Sequence, residues 1–90
     1  MQKQFEQYLL AKNYSPLTSI DYSARLERLC RKEQISYEHL AQHLAEIMPQ
    51  YDKNGKKSSY GRRSHSTVIN ALRRFSEFLA DGNILMQKAN

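Results

Sequence analysis

Ninety residues allow one domain and are too few for two, and a hydrophobic content of 40% supports a small core. Three Gly and two Pro argue against a turn-rich all-β fold, and the single cysteine, Cys30, excludes a disulfide framework and a thiolate metal site. Fourteen basic against nine acidic residues give a formal charge of +5, which favours an anionic partner and solubility but says nothing of fold.

The first helix is expected over 2–12, with Phe5, Tyr8 and Leu9 on one face and Asn13 as a left-handed stop. Ser15-Pro16-Leu17-Thr18 opens the second helix, over 16–33. Ser15 can cap the unpaired backbone N–H groups, and Pro16 suits the first helical position because its missing N–H costs nothing there. Tyr22, Leu26 and Leu29 form one apolar stripe, and Leu17, Ile20 and Ala24 form a second. Two buried stripes predict a central helix contacted from more than one side. Cys30, beside Leu26 and Leu29, reads as a small core residue.

A third helix is expected over 37–48, capped by Ser36, carrying Leu40, Leu44 and Ile47 and ending before Pro49. Residues 49–64 read PQYDKNGKKSSYGRRS; two glycines, five cations and three serines mark a basic loop. The fourth helix is expected over 65–81, capped by Ser64 or Ser66, with Val68, Leu72, Phe75 and Leu79 as its core stripe. Gly82 is its expected stop, and Ile84 to Met86 its apolar tail, folding back. The fold class is therefore all-α, a single domain of four helices.

Charge is segregated along this chain. Lys53, Lys56, Lys57, Arg62, Arg63, Arg73 and Arg74 supply seven of the fourteen cations within 22 residues that contain no acid. Such placement points to a polyanion better than a high isoelectric point does. Apolar stripes serve the core, so function is sought on the remaining faces. On the second helix Thr18, Asp21, Arg25, Arg28 and Lys32 stand at i, i+3, i+7, i+10 and i+14 and line up along one side. That strip is either a solvated face in which Asp21 and Arg25 pair, or a surface for the major groove, where long cations reach phosphates or guanine. The fourth helix leaves Ser66, Asn70, Arg73, Arg74 and Glu77, with Thr67 at the margin. Asn70 suits adenine, the arginines suit guanine or phosphate, and a helix start favours a phosphate.

Other constellations carry less. His39 and His43 share a helix face with Glu46 one turn on, but lack a metalloprotease motif's intervening Glu and a third strong ligand. His65 lies among cations at a helix start, where it touches a phosphate or faces water. Tyr22 reads as core, Tyr14 as a staple for the second helix, and Tyr51 and Tyr60 as loop residues. No glycine-rich phosphate loop, paired carboxylates or nucleophile–base set can be assembled, so neither enzymatic activity nor a cofactor is expected. No apolar run of transmembrane length and no signal peptide is found, which makes a reducing, cytoplasmic setting the expectation.

The residues resemble the N-terminal core-binding domain of tyrosine recombinases, the phage integrase family. The resemblance rests on Phe5-Glu6-Gln7-Tyr8-Leu9, then Ser15-Pro16-Leu17-Thr18 with Tyr22, then Thr67 through Leu79 with its Leu72-Arg73-Arg74-Phe75 core, followed by Gly82 and Ile84. It covers nearly the whole chain. It implies a four-helix orthogonal bundle of SAM-like type that covers one face of a recombination half-site on double-stranded DNA. A catalytic domain would close a C-shaped clamp from the opposite face. The second and fourth helices would approach the major groove. Carried over, that singles out Thr18, Asp21 and Arg25 on the second helix and Thr67, Asn70, Arg73 and Arg74 on the fourth. The basic loop adds Lys56, Lys57, Arg62 and Arg63 to the expected DNA contacts. Asp21 is an acid facing the expected DNA, which costs affinity unless it accepts from a cytosine amino group or is neutralised by Arg25. The family's catalytic residues have no counterparts here, so the chain resembles an excised domain or truncated reading frame. Other recombinase protomers are expected partners, and the isolated domain is expected to be a monomer. The alternative reading is a helical protein-interaction module with an incidentally basic surface, whose uncovered apolar patch would lie near Ile84 to Met86.

Overall fold

A computed structural model of the chain describes the backbone of residues 1–51 and 62–89, and the side chains of 1–51 and 66–81. The elements are α1 (Gln2–Ala11), α2 (Pro16–Glu33), α3 (Tyr37–Gln42), α4 (Leu44–Ile47), a 3-10 turn (Met48–Tyr51) and α5 (Arg62–Ala89). No strand occurs among the described residues, and the all-α class holds.

The boundaries from the end of α1 to the start of α3 follow from local chemistry. Ser15 Oγ accepts from the Thr18 N–H at 3.1 Å, and Ser36 Oγ accepts from the His39 N–H at 3.0 Å. Each hydroxyl replaces a bond that the first turn of a helix cannot make internally. Both long N-terminal segments close in the same way. Asn13 takes φ 70°, and the Tyr14 N–H reaches back to the Leu9 carbonyl at 3.1 Å. Gln34 takes φ 57°, and the Ile35 N–H reaches the Cys30 carbonyl at 2.9 Å. In each closure the residue after the left-handed one packs its side chain on the core, as Tyr14 and Ile35 do here.

The core is built on α1, α2 and α5. Phe5 and Leu9 meet Leu26 and Leu29, with Leu72 and Phe75 from α5, all fully or almost fully buried. The Phe5 and Phe75 rings sit edge-on at 5.1 Å, and Tyr37 closes on Phe75 edge-on at 5.5 Å, an arrangement aromatic quadrupoles favour. Cys30 is 5% exposed, and burial pushes its thiol up to about 11, which makes it a core residue and a poor nucleophile at neutral pH.

Several expectations are corrected. The second stripe of α2 does not face the core: Leu17 is 82% and Ile20 56% exposed. The buried positions beside Leu26, Leu29 and Cys30 are instead Ser19 and Ser23. These two serines have their hydroxyls satisfied, Ser19 donating to the Ser15 carbonyl at 3.1 Å and Ser23 to the Glu6 carboxylate at 2.7 Å. Small, hydrogen-bonded side chains let α1 lie close against α2, and that contact fixes which way α2 is turned.

The third helix is broken. At His43 the backbone leaves helical geometry (φ −115°), and the chain restarts as α4. Beyond the bend, Tyr51 is fully buried and donates its hydroxyl to the Glu33 carboxylate at 2.6 Å. It is thus an anchor to the end of α2, not a loop residue. Finally, α5 starts at Arg62 and runs to Ala89, past Gly82. Ser64 and Ser66 therefore lie within its first turns and are not its caps. One glycine costs a helix interior only about 1 kcal/mol, too little to end it. Ile84 to Met86 continue the helix in place of a folded-back tail. The expected loop shrinks from both sides, because Pro49 to Tyr51 form the 3-10 turn and Arg62 to Ser64 open α5; its remainder, 52–61, lies outside the described residues.

Candidate nucleic-acid interface

Helices α2 and α5 pack on each other, so the two polar strips belong to neighbouring helices. On α2 the strip starts at the cap. Thr18 is half-buried, its hydroxyl oxygen accepting from Ser15 Oγ at 2.9 Å. Its own hydroxyl hydrogen is not used in that bond. Asp21 and Arg25 pair one turn apart at 3.2 Å, with Arg25 the less exposed partner. Further along, Arg28 is exposed, and no ion pair of its own is seen among the described residues.

On α5 the outward line is Ser66, Asn70, Arg73 and Glu77, all exposed. Thr67 is half-buried on its flank. Arg73 stands at the edge of a cleft formed with Met48, Pro49 and Ile69. Its sequence neighbour behaves differently. Arg74 Nη1 donates to the Tyr14 hydroxyl at 3.0 Å, and its Nη2 lies 3.2 Å from a Glu77 carboxylate oxygen. The Tyr14 hydrogen bond raises the Arg74 pKa above its usual value, and Glu77 adds to this while burial opposes it. Arg74 Nε is shielded from solvent and has no hydrogen-bond partner among the described residues. Tyr14 in turn lies against Tyr22, ring centroids 6.1 Å apart.

Of the residues singled out in the sequence, Thr18, Asp21, Arg25, Thr67, Asn70, Arg73 and Arg74 are thus placed on two packed helices. Lys56 and Lys57 lie outside the described residues. Arg62 and Arg63 fall in the first turn of α5, and their side chains lie outside the described residues. The residue missed in the sequence is Tyr14, whose hydroxyl connects the start of α2 to Arg74 across 60 positions. No local pattern signals a contact of that separation.

The His39 and His43 rings stack at 4.4 Å, and His43 Nδ1 lies 3.7 Å from Glu46. Among the described residues no group of three His, Cys, Asp or Glu side chains is placed to hold a metal ion. No described helix is long and apolar enough to cross a membrane.

The fold and these faces define a small all-helical module of the SAM-like class, with polar, arginine-bearing strips on two adjoining helices. The chain belongs to the phage integrase N-terminal SAM-like domain family, whose model matches residues 3–83. That domain is not the part of an integrase that carries out catalysis. Searches of curated proteins and of solved structures found no match.

Proposed function

We propose that this domain binds double-stranded DNA as the non-catalytic arm of a tyrosine recombinase, laying α2 and α5 on the major groove of a recombination half-site. The observation that carries the reading is that the two strips belong to helices in contact with each other. Thr18, Asp21 and Arg25 on α2 and Thr67, Asn70, Arg73 and Arg74 on α5 lie on helices that pack together. The acid-free stretch from Lys53 to Arg74 leads into the second strip. Arginine and asparagine are the side chains that read guanine and adenine edges, and the remaining cations suit phosphates. Lys56, Lys57, Arg62 and Arg63 extend the phosphate-binding role. The parent protein in this reading cuts and rejoins DNA and works in the cytoplasm.

A mobility-shift titration on mixed-sequence duplex at two salt concentrations tests the reading. About five phosphate contacts give a log–log salt slope near −4 to −5. Absence of binding at low salt would refute it.

A second reading is favoured by one observation. Leu17 and Ile20 are large apolar side chains left exposed on the outward side of α2, which suits a contact with another protein, including a neighbouring recombinase protomer. Their replacement by serine would then abolish protein association on DNA while leaving the first binding event intact.

A further inference from the structure

Tyr14 belongs to neither polar strip. It stands one residue before the α2 cap, and three features hold it in place: its N–H bonded to the Leu9 carbonyl at 3.1 Å, its ring against Tyr22 at 6.1 Å, and its hydroxyl accepting from Arg74 at 3.0 Å. With Glu77 on the other terminal nitrogen at 3.2 Å, the Arg74 guanidinium is held at both ends. A planar fork fixed in this way has lost its rotational freedom before any ligand arrives, so binding costs less ordering entropy. A guanidinium carries five N–H groups. Tyr14 and Glu77 engage one on each terminal nitrogen, which leaves a second N–H on each.

The bonding of Arg74 is also incomplete for a purely structural arginine. Buried polar groups in folded proteins almost always find a partner, yet among the described residues Arg74 Nε has none; that atom is itself shielded, so a ligand would meet the terminal N–H groups of a side chain that remains 31% exposed. We infer that Tyr14 is a positioning residue, whose hydroxyl holds the Arg74 guanidinium in the pose that receives a DNA backbone phosphate. The inference rests on the DNA-binding reading above. A phosphate is favoured over a base edge by location and reach. Arg74 lies between the outward line of α5 and the buried Ala71 and Phe75, and its two tethers keep it from extending into a groove. Phosphates flank the groove, where a short, fixed fork can meet them.

The test compares the wild-type chain with Tyr14→Phe, Arg74→Ala and the double variant, binding two duplexes of unrelated sequence across a salt series. Thermal unfolding of each variant is followed alongside. The wild type is expected to bind both duplexes. Tyr14→Phe should weaken binding to both by on the order of tenfold and lower the salt slope by about 0.9, the signature of one lost phosphate. A merely structural role would not move that slope. The double variant should bind no worse than Arg74→Ala alone, because Tyr14 acts through Arg74. Wild-type-like binding by Tyr14→Phe beside a weakened Arg74→Ala would overturn the inference and leave the DNA reading standing. So would losses that add, or a loss confined to one duplex. A wild type that binds neither duplex at low salt would overturn both. Should Tyr14→Phe prove unfolded, Arg74→Lys supplies the second measurement. It keeps the charge but not the held planar fork, so it should bind nearly as weakly as Arg74→Ala; wild-type-like binding would overturn the inference.

Discussion

Arg73 and Arg74 are consecutive residues of one helix, and the structure assigns them different consequences when truncated. Arg73 is exposed, with no ion pair seen among the described residues. Arg73→Ala should therefore change stability by no more than about 0.5 kcal/mol, as for an ordinary surface position. Arg74 holds Tyr14 at 3.0 Å and Glu77 at 3.2 Å. Hydrogen bonds to charged groups contribute roughly 1.5–3 kcal/mol each when well shielded. The Arg74 side chain is 31% exposed and its Glu77 partner 54%, so solvent screening cuts the pair to about 1–2 kcal/mol in total. For a domain of this size that corresponds to a fall in Tm of roughly 5–15 °C for Arg74→Ala, against about 0–3 °C for Arg73→Ala. Far-UV circular dichroism melts of the DNA-free chain read this directly. Both variants should still lose DNA affinity, Arg73→Ala without a stability change. Equal Tm losses, or an Arg74→Ala melt within about 2 °C of wild type, would refute the assignment of Arg74 as the arginine held within the fold.

Three further outcomes are expected. Leu17→Ser and Ile20→Ser should leave Tm nearly unchanged, whereas Leu26→Ala, three positions from buried Ser23, should cost about 2–5 kcal/mol in denaturant unfolding; the reverse order would mean α2 is turned the other way. Tyr8 donates its hydroxyl to Asp81 at 2.6 Å, and burial together with that bond pushes its pKa from 10.0 up to about 12. The folded state thus binds this proton more tightly than the unfolded one, so the contribution is full below pH 10.0 and is lost as pH rises through about 12. Tyr8→Phe should flatten the wild type's alkaline stability loss across that window, and parallel pH profiles would contradict it. Asp21→Asn and Glu77→Gln remove carboxylates from the two strips, so both should tighten binding to mixed duplex at low salt; weaker binding by Asp21→Asn would instead indicate that Asp21 accepts a hydrogen bond from a base.

The parts of this fold that were legible in the sequence are those decided within a few residues. Ser15, Pro16, Ser36 and Asn13 act through neighbours one to four positions away, and they placed two helix starts and one stop. The stripes Phe5/Leu9 and Val68/Leu72/Phe75 were legible because nothing on their helices competes with them. On α2 something did compete. Leu17, Ile20 and Ala24 have the right spacing to be buried, while Ser19 and Ser23 look like solvent-facing residues until their hydroxyls are seen bonded to the Ser15 carbonyl and to Glu6. Hydropathy cannot register a buried serine with a partner. Gln34 in the left-handed region is illegible for a similar reason: the position is imposed by the closing bond from Ile35 to Cys30, not by the residue's own preference. Gly82 misled in the opposite direction, since its preference for stopping a helix is small beside the cost of losing helical bonds.

The candidate site follows the same division. Its two strips could be read from helical spacing, but their charge state could not. Arg25 is matched by Asp21 and Arg74 by Glu77, so two of the arginines in these strips carry their own counter-charge before any DNA arrives. An arginine already paired releases less free energy when it meets a phosphate, because the first partner must be displaced or tolerated. Among the described cations in the strips, Arg28 and Arg73 show no such pairing, and the rest of the attraction then falls to the acid-free run from Lys53 to Arg63. This division assigns different work to different cations. The basic run and the unpaired arginines would supply sequence-independent, salt-sensitive attraction. The paired arginines, fixed by Asp21, Glu77 and Tyr14, would supply register, because a pre-set guanidinium tolerates few positions of the phosphate it meets. Neutralising Lys56 and Lys57 should therefore lower affinity uniformly with a smaller salt slope, and releasing Arg74 through Tyr14→Phe should likewise weaken unrelated duplexes alike, as loss of one positioned phosphate contact.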